Sequence, residues 1–208
     1  MSERKIAPVL ALDIGNVAIH IDPVPLLNLM GFESMEAFRK YDDDNTIWNG
    51  CMAFEEGTFC EEEFANWFST ATPRPIAVND VRHVWGILLK NEVDGIAEVV
   101  QLAVDNGVKP VFMSDICPVR YEMSCDLLSF THLMAGAVLS YEVGRHKPHE
   151  AMYAAMEPQF CDGGVPLLYA DDLLQNIAAA KERGWAAYQF GNWADLNQLL
   201  RERLELLR

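Results

Sequence analysis

Basic residues are the scarce class in this chain of 208 residues: 16 Lys and Arg stand against 31 Asp and Glu, a formal net charge of −15. So acidic a chain repels phosphate backbones and anionic headgroups, which argues against nucleic acid or a membrane surface as partner. Long apolar runs are missing as well. No stretch approaches the roughly 20 residues of a membrane span, and the polar start Ser2-Glu3-Arg4-Lys5 leads straight into the first apolar segment rather than into a signal peptide. Cysteine is sparse: Cys51, Cys60, Cys117, Cys125 and Cys161 are odd in number, and no two have metal-site spacing. Reduced thiols in a cytoplasmic protein are expected, with Cys117 a buried bystander. Internal repeats and low-complexity stretches are absent, while half of the residues are hydrophobic. The chain therefore folds around a core, as one domain or a domain carrying an insertion.

What is present is organised around Pro8-Val9-Leu10-Ala11-Leu12-Asp13-Ile14-Gly15-Asn16-Val17. The first half reads as a strand buried on both faces of a parallel sheet. Asp13 stands where that strand stops, and Gly15-Asn16 supply a turn. Further buried strands are predicted at 111–113, 137–139, 167–170 and 186–189, with helices at the face Ile96, Val99, Val100, Ala103 and near 117–128, 149–157, 173–183 and 195–207. This alternation makes an α/β, Rossmann-like parallel sheet with helices on both faces. Between them, Asp22-Pro23 opens a short helix that stops at Gly31, and from Ser34 to about Lys90 the periodicity is helical with no strand. Residues 21–90 thus read as a helical cap inserted into a core formed by 1–20 and 91–208. The acidic runs Asp42-Asp43-Asp44, Glu55-Glu56 and Glu61-Glu62-Glu63 read as a solvated face, or as a lid that disfavours large polyanions.

Four of these five strands are followed by chemistry: Asp13; Ser114-Asp115; Gly144-Arg145-His146-Lys147-Pro148; Asp171-Asp172. In open α/β sheets, ligands bind just outside the carboxyl ends of the strands. The set suits phosphoryl transfer to a carboxylate, whose own charge must be offset before it approaches a phosphate dianion. Asp13 and Asp172 can hold Mg²⁺, which takes one or two carboxylates plus waters and substrate oxygens. Lys147 and the Ser114 hydroxyl would hold the remaining phosphate oxygens. An anionic substrate on an acidic protein needs that local cation.

With these residues in place, the chain resembles the haloacid dehalogenase (HAD) superfamily, in the branch with a helical cap after the first strand. The motifs that carry the likeness are Leu12 to Val17, Met113-Ser114-Asp115, Gly144 to Pro148, and Tyr169-Ala170-Asp171-Asp172 with Asn176. The cap segment from Phe54 to Phe59, with Glu63-Phe64, is similar too. Within the superfamily the chain looks like the bacterial α-D-glucose-1-phosphate phosphatases and the phosphatase domain of soluble epoxide hydrolases. The resemblance implies a Mg²⁺-dependent phosphatase for a small phosphorylated metabolite, such as a sugar phosphate, working through an aspartyl-phosphate. It implies Asp13 as nucleophile and metal ligand, the Gly15 carbonyl and Asp172 as further ligands, and Asp171 and Asn176 supporting them from behind. Ser114 would bind phosphate, and Lys147 would bridge nucleophile and transferring group.

Two positions depart from the pattern. A second Asp two residues after the nucleophile usually protonates the leaving alcohol, and here Gly15 stands there. Losing a general acid costs about 10²–10⁴-fold, so slow turnover or esters with good leaving groups are expected. His20 is a candidate substitute donor, against a packed or solvated histidine. Asp115 stands where Asn is common and, with Asn16 and His20, is a candidate substrate contact. A 2-haloacid dehalogenase is the alternative enzyme, but it resembles families without the paired carboxylate Asp171-Asp172. A catalytically weak HAD-fold binding or regulatory protein is the other, suggested by Gly15 and Asp115 and opposed by Asp13, Lys147 and Asp172. Trp48, Arg39, Trp67 and His83 are the cap side chains considered for the site.

Overall fold

The structure is a computed structural model that describes residues 7–207; the polar start, with the rest of residues 1–6 and residue 208, lies outside the described residues. The chain opens with β1 (Val9–Leu12), β2 (Ile19–Ile21), α1 (Val24–Met30), α2 (Met35–Tyr41), α3 (Thr46–Glu55), α4 (Glu61–Ala71), α5 (Val81–Gly86) and β3 (Leu89–Glu92). It continues with α6 (Ile96–Asp105), β4 (Lys109–Ser114), α7 (Pro118–Leu127), β5 (Gly136–Leu139) and α8 (Ser140–Val143). The last elements are α9 (Glu150–Phe160), β6 (Leu168–Asp171), α10 (Leu174–Glu182), β7 (Ala187–Gln189) and α11 (Trp193–Glu205).

Five parallel strands form one sheet in the order β5-β4-β1-β6-β7. Every residue of β1 is buried, and its alternation divides the core. Leu10 and Leu12 pack with Val99 and Val100 of α6 and Leu196 and Leu200 of α11. Val9 and Ala11 pack on the opposite face with Met152 and Tyr153 of α9 and Ile177 of α10. Removing side chains of this size from water stabilises by about 1.5–3 kcal/mol each, which is why an all-apolar strand reads so clearly as central.

Helices α1 to α5 gather a third apolar cluster built on Phe54, Phe64, Phe68 and Trp85. Phe54 and Phe64 stack with centroids 4.3 Å apart. No helix of the described residues is long and apolar enough to cross a membrane.

Three expectations need correction. The stretch from Ile19 to Glu92 is not purely helical: β2 and β3 form a two-stranded antiparallel ribbon at the foot of the insertion. Leu89-Lys90-Asn91-Glu92 carries little strand propensity, and its two central residues are exposed, so nothing in its pattern announces a strand. The acidic runs are not wholly solvated either. Asp42 is buried and accepts hydrogen bonds from the N–H groups of Ile47 (2.7 Å) and Trp48 (2.9 Å), satisfying the start of α3. Glu55 is buried as well. Finally, the ribbon turns His20 away: alternation places Ile19 inward and leaves His20 exposed, outside the cavity that Asp13 lines.

Gly50 shows how tightly α3 and α4 meet. A Cβ there would come within 1.9 Å of Trp67 Cζ2, and Trp67 is itself flanked by Phe59 and Phe64. In a free helix Gly→Ala stabilises by about 1 kcal/mol, whereas overpacking costs about 1–3 kcal/mol. Gly50→Ala should therefore lower the Tm; a Tm that rises in thermal denaturation would show that the Trp67 ring yields freely.

Candidate active site

The strand order brings the polar strand ends together. β1 lies between β4 and β6, so Asp13 emerges between Ser114, the last residue of β4, and Asp171, the last residue of β6, with Asp172 directly after it. The Asp13 N–H extends the ladder to the Ala170 carbonyl at 3.0 Å. The turn beyond it is made by Asn16, in the left-handed region at φ 55°, and not by Gly15, which has no positive φ. Isoleucine at 14 and valine at 17 are buried and hold this turn down.

Asp13 Oδ1 accepts from the Ile14 N–H at 2.7 Å and from Ser114 Oγ at 2.8 Å, and forms an ion pair with Lys147 Nζ at 3.1 Å. Among the described residues, Oδ2 accepts none. Lys147 reaches in from the loop after α8 with its side chain 1% exposed. Its ammonium also donates to Asp171 Oδ2 at 2.7 Å and to the Met113 carbonyl at 2.9 Å. Asp171 is saturated: it further accepts from the Tyr169 hydroxyl, Asn176 Nδ2 and the Leu173 N–H. Asp172 is half-buried and bonded to Asn16 Nδ2 at 3.1 Å. One carboxylate oxygen from each of Asp13, Asp171 and Asp172 lies within 4.8 Å of the others, a spacing a single ion could bridge.

The charges are unevenly compensated. Burial pushes the Asp13 carboxyl up to about 7; Lys147 opposes the shift, and Asp171 and Asp115 add to it. Burial alone would lower Lys147, but Asp13, Asp171 and Asp115 outweigh it and hold the ammonium above its usual range. Burial also raises Asp172, against the hydrogen bond from Asn16.

The candidates at the substrate side divide. Asp13, Gly15, Asn16, Ser114, Asp115, Asp172 and Asn176 line one cavity. Asp115 turns its carboxylate to the Lys147 N–H at 2.9 Å, which anchors the Lys147 loop. Asn16 is committed to Asp172 and, through Oδ1, to the Ile21 N–H at 3.2 Å. His20 is outside the lining, and of the four cap residues considered only Trp48 reaches it. Sequence reasoning missed the cluster where the insertion meets the core. Glu55 pairs with Arg120 Nη1 at 2.7 Å and lies 3.3 Å from His146 Nε2; Glu56 lies 3.1 Å from His146 Nδ1. Ser140 Oγ donates to the Glu55 carbonyl at 2.6 Å. The signal in the sequence is a Glu-Glu-Gly run directly after a helical apolar face. Cys117 is buried as expected, its thiol pushed up to about 12 by burial.

The folded protein keeps the Asp13 proton to about pH 7, whereas the unfolded chain releases it near 3.8. Folding then binds the extra proton between these values, so this group's contribution to stability falls as pH rises through that window. Asp13→Asn should therefore raise the Tm of the metal-free protein more at pH 8 than at pH 5. Denaturation in EDTA at the two values checks this, and a loss at pH 8 would mean that Lys147 depends on Asp13 more than Asp13 suffers from burial.

No protein-family model matches the chain, and no curated protein sequence does. Solved structures do. A HAD family enzyme from Bacteroides thetaiotaomicron is 17% identical with a TM-score of 0.78, over 92% of this chain and 98% of that one. The wild-type form of that enzyme in complex with magnesium and inorganic phosphate is 16% identical with a TM-score of 0.73, over 91% and 98%. An L-2-haloacid dehalogenase from Xanthobacter autotrophicus is 13% identical with a TM-score of 0.59, over 93% and 87%. At such identities the likeness is one of architecture: this chain has the α/β fold of the HAD enzymes, a parallel sheet flanked by helices with a largely helical segment inserted after the first strand.

Proposed function

We propose that the protein is a Mg²⁺-dependent phosphatase that hydrolyses a small phosphate monoester through a phosphorylated Asp13. One observation carries the reading: the single ammonium of Lys147 lies 3.1 Å from Asp13 Oδ1 while three carboxylates converge beside it. A metal-free attack on carbon has no use for Asp172, a further carboxylate beside the nucleophile that Lys147 does not pair. The magnesium and phosphate bound by the Bacteroides enzyme of the same fold support the same choice.

The donor set fits Mg²⁺, a hard cation that takes oxygen ligands and retains waters. Asp171 is occupied by protein donors, so Asp13 and Asp172 would hold the ion, with the Gly15 carbonyl. The ion would supply positive charge against the phosphate oxygens. Helices α1 to α5, with residues 21–90 as their bounds, act as the cap that closes the site from water.

Within this arrangement Ile14, Ser114 and Lys147 orient the Asp13 carboxylate for attack on phosphorus. The ester P–O bond breaks as the Asp13 O–P bond forms, and the departing alkoxide takes its proton from water. A second water then attacks phosphorus, releasing inorganic phosphate and restoring the Asp13 carboxylate. Lys147 offsets the negative charge of both steps. Asp115 and Asn16 are positioning residues here, the first for the Lys147 loop and the second for Asp172.

With Mg²⁺ the protein should release phosphate from p-nitrophenyl phosphate, and EDTA should stop it. Asp13→Asn should abolish the activity without loss of fold. Halide release from 2-chloropropionate that survives EDTA would overturn the proposal. Gly15 allows a second test, because a Cβ there meets nothing closer than Ile21 Cγ1 at 3.5 Å. Gly15→Asp should fold and supply the missing proton donor. Its kcat should rise on alkyl phosphates, by up to about 10²-fold, and rise little on p-nitrophenyl phosphate, whose leaving group needs no acid. Equal gains on both substrates would assign the Asp another role.

A further inference from the structure

The cavity that contains Asp13, Ser114 and Asp172 has a volume of about 390 Å³, within the range of small-molecule sites. Its reactive groups occupy one end. Most of the remaining wall comes from helices α1, α2, α3 and α5 and is hydrocarbon and aromatic, with Leu27, Met30, Phe38, Ile47, Met52 and Trp85 among others, while Arg120 and Ser124 of α7 contribute to it. The charged side chains in that wall are engaged with one another. Glu55 is held by Arg120 and His146. Arg120 donates in addition to the Asp115 carbonyl at 2.6 Å, and its guanidinium lies 5.3 Å from the Trp85 ring centre. Ser124 Oγ donates to the Arg120 carbonyl at 2.8 Å. Among the described residues, two buried side-chain polar atoms lack partners, Trp85 Nε1 and Asn176 Oδ1, and both are sealed from the accessible surface, so neither can meet a ligand in this conformation.

We infer that this cavity receives an apolar organic group, so that the substrate, on the phosphatase reading above, is the monoester of an alkyl or aryl alcohol and not of a sugar. A sugar ring would press several hydroxyls against a wall that is mostly hydrocarbon and aromatic, where few polar groups could replace their water. Each hydroxyl stripped of water without a replacement partner costs about tenfold or more in affinity. An alkyl chain gains instead, by about fourfold per methylene removed from water. The rim agrees with this. Trp48 is 52% and Leu173 46% exposed, and both line the cavity. Apolar side chains left in water at a rim are covered when an apolar ligand enters.

The test is a homologous series of n-alkyl phosphates from ethyl to octyl, assayed with Mg²⁺ beside glucose 1-phosphate and glucose 6-phosphate. kcat/KM should climb about three- to fourfold per methylene until the cavity is full, with both glucose esters below hexyl phosphate. Met52→Gln and Trp48→Ser should flatten the climb, lowering the octyl-to-ethyl ratio. A series without slope, or glucose esters hydrolysed fastest, overturns the inference while leaving the phosphatase reading intact. A second measurement keeps the two apart: binding of 1-butanol to 1-octanol to the metal-free protein, followed by tryptophan fluorescence. Affinity that grows with chain length supports the apolar site even where no ester is cleaved, and affinity that does not grow overturns it.

Discussion

The buried ammonium of Lys147 is the interaction on which the site depends. A lone cation in so dry a place would cost several kcal/mol, and this one is tolerable because Asp13, Asp171 and the Met113 carbonyl enclose it. The dependence is mutual. Asp13, Asp115 and Asp171 are carboxylates crowded at the end of a parallel sheet, and Lys147 is the side-chain cation they share. Strands β1, β4 and β6 each contribute a group to that contact, so their relative register and the charge balance form one constraint. The balance is incomplete: burial still holds Asp13 well above the usual carboxylate range. A site with residual negative charge is poised for a cation, and it pays in stability for what it offers in chemistry.

A second constraint fixes the wall of the cavity. The end of α3 meets the core through Glu55, which Arg120 and His146 hold by its carboxylate and Ser140 by its carbonyl. Just beyond, Gly57 passes the Tyr141 backbone so closely that a Cβ would lie 2.5 Å from its carbonyl oxygen, and its φ is +72°. Only glycine meets both conditions. Burial lowers the His146 affinity for protons, and the Glu55, Glu56 and Asp115 carboxylates more than restore it, so its net shift is upward. The junction is thus electrostatic where the two packed clusters on either side are apolar. It sets how the phenylalanine-rich helices face Asp13, and through them the character of the ligand space.

Much of this was legible in the residues. The strand ends announced themselves because a polar residue directly after a doubly buried strand has few structural uses, and four such ends in one chain point to a shared edge. Asp13, Ser114, Lys147, Asp171 and Asp172 do converge. What escaped reading had physical causes. The β2–β3 ribbon is built from Lys90, Asn91 and Glu92, residues that adopt a strand because Ile19 and Ile21 offer a pairing edge and not by propensity. Glu55 and Asp42 look like surface charge because burial of an acid depends on partners distant in sequence: Arg120 for the one, and the N–H groups of a helix start for the other. His20 looked close to the nucleophile in sequence, yet a single strand residue of alternation points it outward.

The order of apolar strands and helical faces, with acids and a lysine at the strand ends, determined the sheet and the chemistry at its edge, because hydrophobic periodicity and turn chemistry are local properties. Only the tertiary structure decided which groups are already paired and which remain free. It assigned Asp171 to Lys147, left Asp172 half-open, retired His20, and surrounded the reactive end with leucine, methionine and tryptophan. Those outcomes rest on burial and on partners far apart in the chain, and neither is written in any one stretch of it.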